Sequence, residues 1–208
     1  MARWSRFLRS ARTRYSLMTR LVRGALLALF RSQRWTLDPW QPRSRKFIII
    51  GAPHTSNWDF LFFIGATDAL GIRPAFMGKH SLFRWPMTRF MREMGGVPVV
   101  RSASHNYVEQ MIDVFNARDE LMLVVAPEGT RKGAAKWKTG FYHMALGAGV
   151  PIVPAWVDHA VRRGGLGPEI KLTGNKAVDF ARIRAYFEEK LPGHPRWQAI
   201  TAGIDDDD

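Results

Sequence analysis

From Lys46 onward the chain alternates short apolar runs with amphipathic segments, and few architectures accept that pattern. The runs "KFIIIGA", "RPAFMG", "VPVVR", "LMLVVAPEG", "PIVPAWV" and "EIKLTG" read as strands. Between them, "NWDFLFFIGATDALG", "LFRWPMTRFMREMG" (with Pro86 in its first turn), "NYVEQMIDVFNARD" and "KTGFYHMALGAG" read as helices, and a charged helix runs from about Asp179 to Lys190. Strands joined through helices imply an α/β fold: a mainly parallel or mixed central sheet flanked by helices on both faces. A chain of 208 residues suits one core of this kind.

In such sheets ligands bind beyond the carboxyl ends of the strands, in the loops that follow. Those loops carry a non-random set of side chains. His54 and Asp59 follow the first strand, Lys79 and His80 the second, Arg101 follows "VPVV", and "APEGTR" with Glu128 and Arg131 follows "LMLVV". One sheet edge thus collects a base, cations and an acid, a set suited to an anionic substrate and one general base.

His54 and Asp59 lie five positions apart in "GAPHTSNWDF". Ser56 or Asn57 is expected to cap a helix starting near Trp58, which leaves His54 in the loop and Asp59 in the first turn. The chain folds back between them, so the carboxylate can reach the imidazole, fix its tautomer and stabilise the imidazolium formed on proton uptake. Taken alone, the pair reads as a capped turn with an incidental histidine. The chain has no cysteine and no G-x-S-x-G elbow, so an attacking hydroxyl would belong to the substrate.

The formal charge of +13 is concentrated at one end. Residues 1–46 hold eleven arginines and one lysine against Asp38, a local +11, while residues 47–208 hold 19 basic and 17 acidic groups. Within this arm Trp4, Leu8, Ala11, Tyr15, Met18, Val22, Ala25 and Leu29 recur at steps of three and four, with most arginines off the stripe. A helix of that kind lies in a lipid interface with its arginines on headgroups; an arm that binds nucleic acid or a helix that covers the core are the alternatives. The run Leu21 to Phe30 spans ten residues and contains Arg23, about half the length needed to cross a bilayer. Arg23 also interrupts any signal-peptide pattern. "DPWQPRSRK" reads as a linker, giving an arm and linker over 1–45 and a globular domain over 46–208. Eight tryptophans and thirteen phenylalanines suit either a membrane interface or a large core. The absence of cysteine points to a reducing compartment.

Four blocks in order give the chain a resemblance to a known family. "HTSNWD" matches an H-x₄-D block, "GGVPVVR" (Gly95 to Arg101) a G-x₅-R block, "PEGTR" an E-G-T-R block and "VPIVPA" a proline-bearing block, with "KTGFYHMA" after the third. Together they resemble the glycerolipid acyltransferases of the 1-acyl-sn-glycerol-3-phosphate acyltransferase type, from about Lys46 to Val157. The resemblance implies an acyltransferase catalytic domain in which His54 is the general base and Asp59 its orienting partner. It also implies that Arg101 and Arg131 bind the acceptor phosphate in a pocket shaped by Glu128, Gly129 and Thr130. Arginine suits that task because its planar fork engages two oxygens at once. Lys79 is a further candidate for the same anion or an ordinary exposed lysine, and Glu128 either touches substrate or braces the loop through an ion pair with Arg131.

The implied reaction moves a fatty acyl group from acyl-CoA or an acyl carrier protein to the hydroxyl of a lysophospholipid acceptor. It takes place at the cytoplasmic face of the cell membrane, where the enzyme is peripheral or monotopic and held by anionic phospholipids. No cofactor or metal is required, and nucleic acid is not an expected partner. A lyso-ornithine or glycosylated lipid would also present a hydroxyl, and a non-catalytic basic lipid- or nucleic-acid-binding protein is the rival from another class. Two positions depart from the family pattern: Pro53 stands where asparagine is common, and Pro98 where an aromatic is frequent. The other histidines, His80, His105, His143, His159 and His194, are expected in structural or surface roles, and Pro151 and Pro154 in the pocket wall.

Overall fold

The computed structural model describes residues 15–99, 104–202 and 204. Seven strands form one sheet: β1 (Thr36–Leu37), β2 (Lys46–Gly51), β3 (Ala75–Lys79), β4 (Gly96–Val99), β5 (Leu121–Val125), β6 (Ile152–Asp158) and β7 (Arg163–Leu166). Their spatial order is β1-β7-β6-β2-β5-β3-β4. The block β6-β2-β5-β3-β4 is parallel, and β7 turns antiparallel against β6. The architecture is the α/β sheet expected, in its mixed form.

The central strand β2 explains the layering. Phe47, Ile48, Ile49 and Ile50 are all buried, as a strand covered on both faces requires. Because side chains alternate along a strand, Ile48 and Ile50 meet one helical layer and Phe47 and Ile49 the other. The first layer comprises α4 (Ser104–Asn116), α5 (Gly140–Gly147), α6 (Lys176–Lys190) and α7 (Gln198–Thr201), contributing Met111, Phe115, Phe141, Phe180, Ile183 and Phe187 to the core. The second comprises α1 (Leu17–Ser32), α2 (Trp58–Ala69) and α3 (Thr88–Glu93), where Leu27, Ile64, Phe90 and Met91 cluster with Phe83.

Helix α1 belongs to this second layer. Thr19, Leu27 and Phe30 are buried, and the Phe30 ring lies where a Cβ on Gly65 of α2 would stand. Its start is fixed by Ser16, whose hydroxyl accepts from Thr19 N–H and whose own N–H and O–H donate to Glu93 at 2.9 Å each. Arg23 pairs with Asp68 of α2. From the expected stripe, Met18, Ala25 and Leu29 are exposed, while Trp4, Leu8 and Ala11 lie outside the described residues. The linker runs along the sheet: Trp40 Nε1–H donates to Gly167 C=O (2.8 Å), and Glu169 accepts from Arg43 and Ser44.

Two expectations need correction, and one strand was not expected. The helix read across "LFRWPMTRFMREMG" is a 3-10 turn over His80–Phe83 followed by the six-residue α3, with Pro86 in the turn between them. Pro86 has no N–H to continue a helix, and the Thr88 hydroxyl closes the turn on Phe83 C=O at 2.8 Å. "EIKLTG" is not a strand; only Ile170 bridges Ile152, and β7 occupies the edge of β6 from Ala155 onward. β7 itself is "RGGL", which carries no apolar period. A Cβ on Gly164 would strike the Phe62 ring and Trp156 C=O, so the strand is glycine where its neighbours approach too closely for a side chain.

Candidate active site

The register places the carboxyl ends of three neighbouring strands side by side, with Ile50 opposite Val125 of β5 and Gly51 opposite Ala155 of β6. The loop carrying His54 therefore emerges from the middle strand, with the "PEGTR" loop on one flank and the segment ending in His159 on the other.

After β2, Ala52 N–H still bonds Ala155 C=O (3.0 Å), and the buried Pro53 follows through a cis peptide. The His54 backbone is then held on both sides: its N–H donates to Glu128 Oε1 at 2.8 Å, and its C=O accepts from Arg196 Nη1 at 2.9 Å. The chain doubles back over Thr55 and Ser56, whose N–H groups donate to Asp59 Oδ2 at 2.9 and 3.0 Å. Ser56 Oγ accepts from Trp58 N–H at 3.1 Å, while the Asn57 side chain makes no capping bond. Of the two expected caps, Ser56 serves.

The turn brings His54 Nδ1 to 2.9 Å from Asp59 Oδ2. An ionised carboxylate only accepts, so Nδ1 carries the hydrogen and the neutral ring keeps its lone pair on Nε2. Burial of Asp59, whose side chain is 13 % exposed, opposes its ionisation. Hydrogen bonds from His54, Ser56 N–H and His159 outweigh burial and hold the carboxyl below its ordinary value. Asp59 is thus held as an anion between its hydrogen-bond donors.

A second imidazole completes the group. His159 Nε2 lies 2.7 Å from Asp59 Oδ1, and its ring meets the edge of Trp35 at 5.4 Å between centroids. His159, expected in a structural or surface role, shares a carboxylate with His54. Its signal was in the sequence, because His159 directly follows β6 and so satisfies the strand-end rule that singled out His54.

Glu128 is buried, and its ion-pair partner is Arg196 rather than the expected Arg131. Arg196, on the 3-10 turn Pro195–Trp197, also donates to Arg131 C=O at 2.8 Å. One guanidinium therefore joins the His54 loop to the "PEGTR" loop. Nothing in "GHPRW" announces this, since Glu128 lies 68 residues away. Gly129 adopts φ +62°, a left-handed turn that favours glycine. Thr130 and Arg131 are exposed, with Thr130 Oγ1 accepting from Lys132 N–H at 3.3 Å. Lys79 ends β3 opposite Val99 of β4, on the same edge of the sheet. Arg101 lies outside the described residues. Pro151 and Pro154 lend their carbonyls to Ile48 and Gly167.

A family model described as Acyltransferase matches residues 39–158. A 1-acyl-sn-glycerol-3-phosphate acyltransferase of Escherichia coli (strain K12) is 28 % identical over 142 residues, covering 65 % of this chain and 56 % of that protein. The enzyme of the same name from Haemophilus influenzae is 31 % identical over 121 residues, covering 55 % and 48 %. The chain thus spans about half the length of the curated relatives it matches. The crystal structure of the 1-acyl-sn-glycerophosphate (LPA) acyltransferase PlsC from Thermotoga maritima superposes with a TM-score of 0.56 at 16 % identity, over 85 % of this chain and 81 % of that one. That likeness is one of fold.

Proposed function

Because the chain belongs to the acyltransferase family, we propose that it transfers a fatty acyl group from an acyl thioester to the hydroxyl of a lysophospholipid, foremost 1-acyl-sn-glycerol-3-phosphate, giving phosphatidic acid. The observation that carries this reading is the His54–Asp59 pair at the end of β2, with the "PEGTR" loop from the adjacent strand fastened to it.

In the proposed reaction His54 Nε2 takes the acceptor's hydroxyl proton as that oxygen bonds to the thioester carbonyl carbon. Asp59 stabilises the imidazolium through Nδ1–H. The tetrahedral intermediate collapses with cleavage of the C–S bond, and the departing thiolate recovers its proton from His54. Arg131, with Arg101, is assigned to the acceptor phosphate, whose two negative oxygens fit a guanidinium fork. The donor is acyl-CoA or an acyl carrier protein. We further propose that the enzyme works on an anionic membrane surface. Among the described residues no helix is long and apolar enough to cross a bilayer. Leu17, Leu21, Trp58 and Trp85 are nevertheless exposed, Trp85 to 91 %, and amphipathic tryptophan favours the headgroup layer.

The test is transfer from a radiolabelled acyl thioester to a panel of lysophospholipids with the native chain and His54→Ala. Loss of a general base is expected to lower kcat by about 10²- to 10⁴-fold with the melting midpoint retained. Near-normal transfer by the folded variant would refute the mechanism.

A further inference from the structure

We propose that His159 is a positioning residue of this reaction, a second imidazole that holds the Asp59 carboxylate through Oδ1 while Oδ2 serves His54. The inference rests on the assignment of His54 as the base. Its geometric basis is the division of labour at Asp59. Oδ2 takes His54 Nδ1–H and the N–H groups of Thr55 and Ser56, all from the preceding loop, whereas Oδ1 takes His159 at 2.7 Å.

The four donors come from two parts of the fold, three from one loop and one from the end of β6. The loop and the first turn of α2 are one local unit, so bonds within it tie the carboxylate to that unit alone. His159 comes from the end of β6, 100 residues away, and ties Asp59 to that strand. It also sets the carboxylate plane: with Oδ1 occupied, rotation about the Cβ–Cγ bond that would exchange the two oxygens breaks a hydrogen bond on each side.

Because an ionised carboxylate cannot donate, the contact requires hydrogen on His159 Nε2. The Trp35 ring edge limits the other motion of the imidazole, and Trp35 is itself packed on Phe30 and Phe62. Helix α1, through the residues that follow it, therefore reaches the catalytic group without touching it. His159 does not contact the reacting atoms in this arrangement. It supplies a fixed Asp59, and through Asp59 a His54 ring whose Nε2 lies where the acceptor hydroxyl arrives.

The experiment compares His159→Ala, His159→Gln and His54→Ala in the full chain, with oleoyl-CoA and 1-oleoyl-sn-glycerol-3-phosphate as probes. A loosened base loses alignment rather than binding. His159→Ala is therefore expected to lower kcat about ten- to a hundredfold while both KM values stay within about twofold of native. The amide N–H of glutamine can donate to Oδ1, so His159→Gln should recover most of the lost kcat. A role confined to packing would show no such rescue. Unchanged kcat in His159→Ala, or a glutamine no better than alanine, overturns the proposal. If alanine at this site prevents folding, His159→Gln against His159→Leu carries the same comparison. A silent His159→Ala beside an inactive His54→Ala removes the positioning role alone, whereas an active His54→Ala removes both assignments.

Discussion

The Glu128–Arg196 pair makes the most demanding prediction, because it joins two loops through a buried carboxylate and a partly exposed guanidinium. The side chains are 1 % and 20 % exposed. Glu128→Ala strands the Arg196 guanidinium and orphans the His54 N–H. Breaking a buried pair from one side costs about 3–5 kcal/mol. Arg196 retains its bonds to the carbonyls of His54 and Arg131, which puts the loss at the lower end, and the orphaned amide adds about 1 kcal/mol. The expected total of about 4 kcal/mol corresponds, at about 2–4 °C per kcal/mol for a chain of this size, to a melting midpoint roughly 10 °C lower. Arg196→Ala strands the carboxylate instead and should cost a similar amount. The double variant strands neither charge, so its loss should fall short of the sum by about 1–3 kcal/mol. Thermal unfolding followed by circular dichroism measures all four corners of the cycle, and acyl transfer measured alongside should fall in each single variant. Additivity within about 0.5 kcal/mol, or a Glu128→Ala midpoint within about 2 °C of native, would refute the reasoning.

Three further perturbations address other parts of the molecule. Burial opposes ionisation of Glu93, but bonds from Thr19, Arg89 and Ser16 hold its carboxyl down at about 2. A depressed carboxyl stabilises the fold above its unfolded value of 4.5 and loses that contribution as pH falls toward 2. The stability gap between the native chain and Glu93→Gln should therefore close across that window in a series of melts, and a gap independent of pH would contradict the assignment. Gly65→Ala places a methyl 2.1 Å from the Phe30 ring and should cost about 1–3 kcal/mol, read by thermal melt; a neutral result would mean that α1 does not dock as described. Arg131→Ala should raise KM for the phosphate-bearing acceptor at least about tenfold, the worth of one charge-assisted bond, and leave KM for the donor nearly unchanged. Equal losses would count against a phosphate on this residue.

What the sequence discloses here follows the range of the interactions. "KFIIIG" reads as the central strand because four consecutive buried residues have no helical or half-exposed alternative. His54 and Asp59 are separated by one turn of chain, so their contact follows from local geometry. Arg196 acts through a fold that must first bring residue 196 to residue 128, and no spacing encodes that meeting. β7 escaped for the opposite reason: Gly164 and Gly165 are selected by the closeness of Phe62, Trp156 and Asp38, and they erase the pattern that marks other strands. The period of helix α1 marks a stripe through Met18, Ala25 and Leu29, yet the side that meets protein carries Thr19, Leu27 and Phe30; Gly65, by admitting Phe30, makes the choice. His159 is legible by the strand-end rule, since it directly follows β6, but its partner Asp59 lies 100 residues away and no spacing pairs the two.

The order β6-β2-β5-β3-β4 separates two parts of the proposed chemistry. His54, the "PEGTR" loop and His159 follow three inner strands whose registers are fixed on either side, so a substitution that shifts any of them disturbs the proposed proton transfer. Lys79 and the segment leading to Arg101 come from the two outer strands, one of which pairs on a single side only. On the proposed assignment of Lys79 and Arg101 to the acceptor anion, acceptor preference is set nearer the sheet's margin than proton transfer is, with β5 between the two.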